Sequence, residues 1–485
     1  MKLRSAVASV ALSLSLLAFF VPVSRAADGN AVADWTVMVY MNAKNNLEPA
    51  GLTNFLQMAQ VGSTDRVNIV VELGRPEKKH YTRAEGNWSG VLRFKVAKNM
   101  HPVPGSAIDP DNPTVRHADM GSGAVLADFV QWAKTTFPAK KNMLLIWNHG
   151  QGWRLYLTEL NKSALNKTLT SRSLSPQVLA VRVDGRKAAA APVERPLSGG
   201  FRSVSFDEDT HNFLYNRDIQ DSLHGQNLDV IGFDACLMGM MESAYAFRNI
   251  AKVMVASEEL IPGDGWKYDS WIQELVTTPG MDAVELGKEL VSSYKQAYQD
   301  TGNMTLSAVD LARAEETRAA LSAFSLAVLG KIQSEGVNLA AARQAAQNYG
   351  DWYGDSWEIC GTTQVLRFHG IDLDHFLASY RTITQDSEIR TRIDEVRQRL
   401  APMILSSYAS SNSAGDKYWS NGVSIYFPGS QTDFRCDQDG EGYDVPKVRA
   451  GGVKFPLEFV EKEGWGDLVY GYLQTQIAAQ APLDF

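Results

Sequence analysis

Two apolar runs in this 485-residue chain stop abruptly at reactive side chains. Leu144-Leu145-Ile146-Trp147 leads into Asn148-His149-Gly150, and Leu228 to Phe233 leads into Asp234-Ala235-Cys236. Unbroken apolar runs of this length mark strands covered on both faces, the habit of parallel sheets. In such sheets the residues just past the strand ends line the crevice where ligands bind. A thiol and an imidazole meeting there make a nucleophile and its base.

The rest of the pattern fits an α/β sheet. Strands are expected over 34–41, 67–73, 141–147, 227–233, 251–257 and 304–310, with an exposed hairpin over 87–96. Helical spacing covers 47–61, 121–136, 216–223, 237–248 and 283–299. Beyond Leu311 the pattern is mostly helical (312–335, 337–348, 373–383, 386–408, 457–478), with one strand at 422–427. Residues 160–203 break the pattern as a Ser- and Ala-rich insertion. It carries eight basic residues, Lys162, Lys167, Arg172, Arg182, Arg186, Lys187, Arg195 and Arg202, against Asp184 and Glu194.

Lys2 and Arg4, the apolar stretch Ala6 to Val23 and Ser24-Arg25-Ala26-Ala27 read as a secretory leader over 1–26. Export to a periplasmic or extracellular space follows. No later segment has the roughly 20 apolar residues of a membrane helix. The net charge of −8 becomes more negative once the leader's Lys2, Arg4 and Arg25 are removed. That argues against nucleic-acid binding, which leaves a basic footprint. Three cysteines, Cys236, Cys360 and Cys436, leave one thiol unpaired in an oxidising compartment. Pairing of Cys360 with Cys436 would make Cys236 the spare, although sequence separation says nothing of distance in space.

If the helix over 237–248 starts directly at Cys236, its N-terminus favours the thiolate. The backbone N–H groups of Gly150 and Cys236 are then candidates for holding an oxyanion, and His149 for moving the proton. The chain has no G-x-S-x-G elbow, P-loop, EF-hand loop or H-E-x-x-H zinc motif.

Asn148-His149-Gly150 and Gly232-Phe233-Asp234-Ala235-Cys236-Leu237-Met238-Gly239 together resemble the clostripain family of cysteine peptidases. Trp35 to Met41 with Asn45-Asn46-Leu47-Glu48, Ser257-Glu258-Glu259, Pro262-Gly263-Asp264-Gly265-Trp266 and Gly422 to Pro428 extend the likeness over roughly 35–430. Caspases, gingipains and legumains are more distant relatives. The resemblance implies a caspase-like α/β/α sandwich with a mostly parallel central sheet. A catalytic domain would span 27–310, and 311–485 would be a mainly helical C-terminal part. It also implies an endopeptidase with Cys236 as nucleophile and His149 as general acid/base. Cleavage would follow Arg or Lys, with Asp234 and Asp264 lining the S1 pocket. Glu258 and Glu259 are weaker candidates for that pocket. One departure is Ala43-Lys44, where the family usually has an acidic residue before Asn-Asn-Leu.

Relatives mature by cutting themselves between the His and the Cys, so the basic insertion is expected to be cut by the chain's own site. No organic cofactor is implied. Some relatives need calcium, and Asp207-Glu208-Asp209, Asp109 with Asp111, and Asp437 with Asp439 offer oxygen ligands. Solvated acidic turns are the plainer reading, and no metal site is assigned. The alternatives to a cysteine peptidase are a non-catalytic peptide-binding protein on the same fold and a serine or metal hydrolase.

Overall fold

The computed structural model describes residues 32–152, 204–350, 356–359, 362–365, 369–411, 418–436, 440–453 and 456–480. The expected leader, the insertion over 160–203, Cys360 and the Asp437/Asp439 pair lie outside the described residues.

The strands are β1 (Ala33–Asn42), β2 (Val67–Arg75), β3 (Gly90–Lys95), β4 (Ala139–Trp147), β5 (Val204–Asp207), β6 (Asn212–Leu214) and β7 (Leu228–Asp234). They continue with β8 (Ala251–Ala256), β9 (Thr305–Asp310), β10 (Ser356–Ile359), β11 (Thr362–Val365), β12 (Gly370–Asp372), β13 (Ile404–Ala409) and β14 (Ser424–Tyr426). Eight of them form one sheet in the order β13-β9-β8-β7-β4-β1-β2-β3. The central run β2-β1-β4-β7-β8 is parallel. The edges are antiparallel: β3 on β2, β9 on β8 and β13 on β9.

Alternate residues of each central strand enter opposite cores. Tyr40, Leu144, Ile146, Ile231 and Phe233 face the helices Gly123–Thr136, Met241–Phe247 and Ala314–Leu329. Val39, Met41, Met143, Leu145 and Val230 face Glu48–Val61, Tyr268–Thr277 and Ala283–Tyr298. These are the two helical layers of a sandwich, and β1, β2 and β7 are buried along their whole length because both of their faces are covered. The helix Ala283–Tyr298 begins at a capping box, in which Asp282 accepts from the N–H of Val284 and Glu285, and Glu285 accepts from that of Asp282.

Three expectations are corrected. The hairpin at 87–96 is a single edge strand, β3, paired with β2. The long helix 386–408 ends at Leu400, and residues 404–409 form β13 on the main sheet. Pro402 marks that break, because a helix interior cannot take a residue without an N–H. Among the described residues, the region beyond 310 therefore carries five strands, β10 to β14, rather than one.

Candidate active site

The register of β4 and β7 builds the site. Trp147 pairs with Asp234 across the two parallel strands. His149 and Cys236 thus lie two residues beyond partnered positions, at the same edge of the sheet. The N–H of Asn148 reaches back to the carbonyl of Asp234 at 3.3 Å. Gly150 runs against the nucleophile segment: a Cβ there would fall 2.5 Å from Cys236 O, 3.0 Å from Cys236 N and 2.9 Å from Ala235 Cβ. Only glycine permits this approach of the two backbones.

Cys236 is a free, partly buried thiol. The helix expected to start at it begins instead at Met241. Residues 235–240 turn first, with Leu237 at φ 63°, its N–H on the carbonyl of Glu259 at 3.2 Å, and that of Gly239 on Ser257 at 2.8 Å. The chain is stitched to the end of β8 before it can wind into a helix. The thiol accordingly takes its hydrogen bond from the N–H of Ile261 at 3.2 Å, not from a helix terminus. Burial pushes its pKa up to about 12; the Ile261 N–H opposes that rise, and the nearby charges of Glu259 and Asp234 add to it.

His149 lies half-buried, and burial holds its pKa down at about 4. Its N–H is donated to Asn148 Oδ1. Its Nε2 lies 2.8 Å from Asn46 Oδ1. Burial thus disfavours both the thiolate and the imidazolium in this arrangement.

Asp234 is 3% exposed. Its Oδ2 accepts from the N–H of Trp266 at 3.0 Å and the hydroxyl of Tyr268 at 2.8 Å. Burial pushes its carboxyl up to about 6, against the pull of those two donors. Gly265, at φ 64°, leaves room beside it, since a Cβ would lie 2.5 Å from Oδ2. Asp264 is exposed on the same loop, and its carbonyl accepts from Asn54 Nδ2 at 2.9 Å. Asn54 Oδ1 in turn accepts from Trp147 Nε1 at 2.8 Å, tying that loop to the end of β4.

Glu258 and Glu259 are buried and otherwise engaged. Glu259 accepts from the N–H of Leu260 at 2.8 Å, that of Gly350 at 2.9 Å and the Tyr418 hydroxyl. Glu258 accepts from the N–H of Gly422 at 2.9 Å and from Ser420. These carboxyls fasten the C-terminal region to the nucleophile's loop. Leu237, Tyr349 and Tyr418 form a small apolar cluster, against which Cys236 and Leu260 pack. The C-terminal region therefore supplies a wall of the site as well as an edge strand.

Lys44, the departure from the family pattern, is 1% exposed. Its ammonium sits 3.0 Å from Asp207 and 3.4 Å from Asp209. Those two carboxylates, read as metal-ligand candidates in the sequence, hold this built-in cation. Among the described residues, no group of three or more His, Cys, Asp or Glu could hold a metal ion.

Asn54 and Tyr268 escaped the sequence reading, and Asn46 entered it only within the motif Asn45-Asn46-Leu47-Glu48, with no site role. Asn54 left a signal, as a polar residue on the face of its helix that buries Phe55 and Met58. The contacts of Asn46 with His149 and of Tyr268 with Asp234 are long-range, and no local pattern reveals them.

The model of the clostripain family matches residues 39–166 and 198–440. Clostripain of Hathewaya histolytica is 27% identical over 248 residues, covering 48% of this chain and 40% of that relative. The match thus spans about two-fifths of the relative's length. Among solved structures, an inactive zymogen C11 protease from Parabacteroides distasonis superposes with a TM-score of 0.56 at 14% identity, covering 90% of this chain and 99% of that one. A secreted C11 cysteine protease from Bacteroides thetaiotaomicron, bound to an irreversible peptide inhibitor, gives 0.51 at 16% identity, with coverage of 81% and 93%. At these identities the likeness is one of fold, the caspase-like α/β/α sandwich expected from the sequence.

Proposed function

The chain belongs to the clostripain family, and on that footing we propose that it is an exported cysteine endopeptidase cleaving after Arg or Lys with Cys236 and His149. The observation that carries this reading is the pairing of Trp147 with Asp234, which sets imidazole and thiol two residues beyond it on neighbouring strands. The Cys236 Sγ proton passes to the imidazole as sulfur attacks the scissile carbonyl carbon. A C–S bond forms and the carbonyl electron pair moves onto oxygen. The backbone N–H groups of Gly150 and Cys236 receive that oxyanion. As the oxyanion collapses, the C–N bond breaks and the imidazolium protonates the leaving amine. Water, deprotonated by His149, then releases the acyl group and restores the thiol. Asp234 and Asp264 select a basic P1 side chain, for which a carboxylate is a bidentate partner. The basic insertion between the dyad residues is the proposed site of self-cleavage.

A thiol-reactive peptide with Arg at P1 tests the assignment. The expected result is one adduct on wild-type protein and none on Cys236→Ala. Equal labelling of both would refute it.

Gly150→Ala tests the oxyanion geometry. The new methyl must push Cys236 away, which costs about 1–3 kcal/mol of stability as overpacking. A shift of about 1 Å at the reacting atoms lowers kcat/KM on the order of 10²-fold. Peptide hydrolysis measured beside thermal unfolding checks this. Unchanged kcat/KM in the alanine variant would remove Gly150 from the oxyanion site.

A further inference from the structure

The turn over 235–240 brings no helix terminus to Cys236, so electrostatic help for its sulfur has to come from another segment. One donor is aimed at it: the backbone N–H of Ile261, 3.2 Å from Sγ. We propose that this N–H is a catalytic group, which stays on Sγ as the thiol proton leaves and holds the thiolate that attacks the substrate. The inference rests on the reading of Cys236 as the nucleophile and deepens it.

The amides of this loop can be followed one by one. The N–H of Glu259 goes to Ser257 Oγ at 3.1 Å and Thr305 Oγ1 at 3.0 Å. That of Leu260 goes to Glu259 Oε1 at 2.8 Å. Ile261 supplies the next amide, and its N–H goes to sulfur. Both flanks are fixed. Upstream, the carbonyl of Glu259 accepts from the N–H of Leu237 at 3.2 Å and from the Ser257 hydroxyl at 2.8 Å. Downstream, the ring of Pro262 locks its φ, and its carbonyl accepts from the N–H of Gly265 at 2.9 Å. The Gly265 carbonyl accepts from the Tyr298 hydroxyl at 2.7 Å, and the Trp266 N–H is on Asp234. A donor held this way needs no reorganisation when charge appears on the sulfur. Burial pushes the pKa of the thiol up, and the Ile261 N–H opposes that rise more than the N–H of Cys236 itself does. The latter is assigned to the oxyanion, so Ile261 is the donor left to sulfur during attack. In deacylation the C–S bond breaks and its electron pair returns to sulfur, where the same N–H receives it until the thiol is reprotonated.

Full-length protein in which the Leu260–Ile261 amide is replaced by an ester keeps the Ile261 side chain and loses the N–H. The readout is the pH profile of Cys236 alkylation by iodoacetamide, followed by peptide mass spectrometry. Its midpoint is expected about one pH unit or more above that of wild type, so that alkylation at pH 7 falls on the order of 10-fold. The two rates should converge as the pH is raised through that midpoint, a recovery that a merely misplaced thiol would not show. At pH 7, kcat/KM for an Arg peptide should fall by a similar factor. A folded ester protein with an unshifted midpoint would overturn the proposal. A second measurement needs no ester. In 15N-isoleucine spectra, with the Ile261 signal assigned through Ile261→Val, the amide proton is expected downfield in wild type and upfield in Cys236→Ala. A signal unmoved between those two proteins overturns the proposal equally. Either negative result alongside hydrolysis that depends on Cys236 leaves the nucleophile standing, whereas hydrolysis that survives Cys236→Ala removes it.

Discussion

Cys236→Ala is expected to lower kcat/KM for an Arg-containing peptide by on the order of 10⁴-fold or more, because the proposed acyl intermediate forms on its sulfur. The fold should survive the change. The thiol accepts one hydrogen bond, from Ile261, and packs against the cluster of Leu237, Tyr349 and Tyr418. Exchanging it for a methyl removes little volume, so thermal unfolding is expected to stay close to that of wild type. The same variant reads self-cleavage. If the insertion between His149 and Cys236 is cut by the chain's own site, the alanine protein remains a single chain while wild type becomes two. Those two pieces should stay together. β5, which follows the insertion, is held by residues that precede it, through Nδ2 of Asn42 on Ser205 Oγ and Nδ2 of Asn148 on Phe206 O. Gly150 also bridges to Val204 of the same strand. Gel electrophoresis under denaturing conditions, beside size-exclusion chromatography, checks both statements. A cut Cys236→Ala chain would assign the processing to another protease, and hydrolysis at the wild-type rate would end the cysteine mechanism.

The central sheet was legible because strands buried on both faces announce themselves as unbroken apolar runs, and the helices between them keep the 3.6 period. The two strand-end side chains were legible for the same reason, since the runs stop where the site begins. What failed has identifiable causes. β13 follows a helix so closely that its apolar residues continued the helical count, although Pro402 marked the boundary. The helix Tyr268–Thr277 was passed over even though Tyr268, Trp271, Ile272 and Leu275 hold the apolar spacing of a buried face. The launch of a helix from Cys236 was wrong because turn 235–240 is fixed by hydrogen bonds to residues 257 and 259, contacts from a different strand. That error matters chemically: without a helix N-terminus at the thiol, burial is the largest influence on its ionisation and opposes the thiolate. Glu258 and Glu259 looked like specificity candidates beside Ser257. Only the folded chain shows them bonded to residues about 90 to 160 positions away.

Asp234→Asn is expected to erase the preference for a basic P1 residue while leaving the fold in place. Asparagine keeps an oxygen that can accept from the Trp266 N–H and the Tyr268 hydroxyl, so the loop at Gly265 loses no donor partner. The loss is then one of charge. A buried carboxylate facing a guanidinium or ammonium contributes about 3 kcal/mol, so kcat/KM for Arg and Lys peptides should fall about 10²-fold, with peptides neutral at P1 little changed. The sign of the pH dependence follows from the raised pKa. Burial holds the Asp234 carboxyl protonated up to about pH 6, so the charge that attracts the substrate is absent below that value and present above it. KM for an Arg peptide should therefore rise as pH falls through about 6, and kcat should not share that limb. Stability runs the other way: a carboxyl whose pKa is raised by folding favours the folded state below its unfolded value, and that advantage is lost as pH rises through about 6. Removing the charge in Asp234→Asn should hence flatten the KM profile and leave the protein at least as stable near neutrality. Kinetic profiles on paired Arg and neutral-P1 peptides between pH 5 and 8, beside unfolding curves, decide the matter. An unchanged ratio of the two substrates in the variant would move the P1 contact away from Asp234, and Asp264→Asn, on the exposed side of the same loop, would then be the substitution expected to carry the loss.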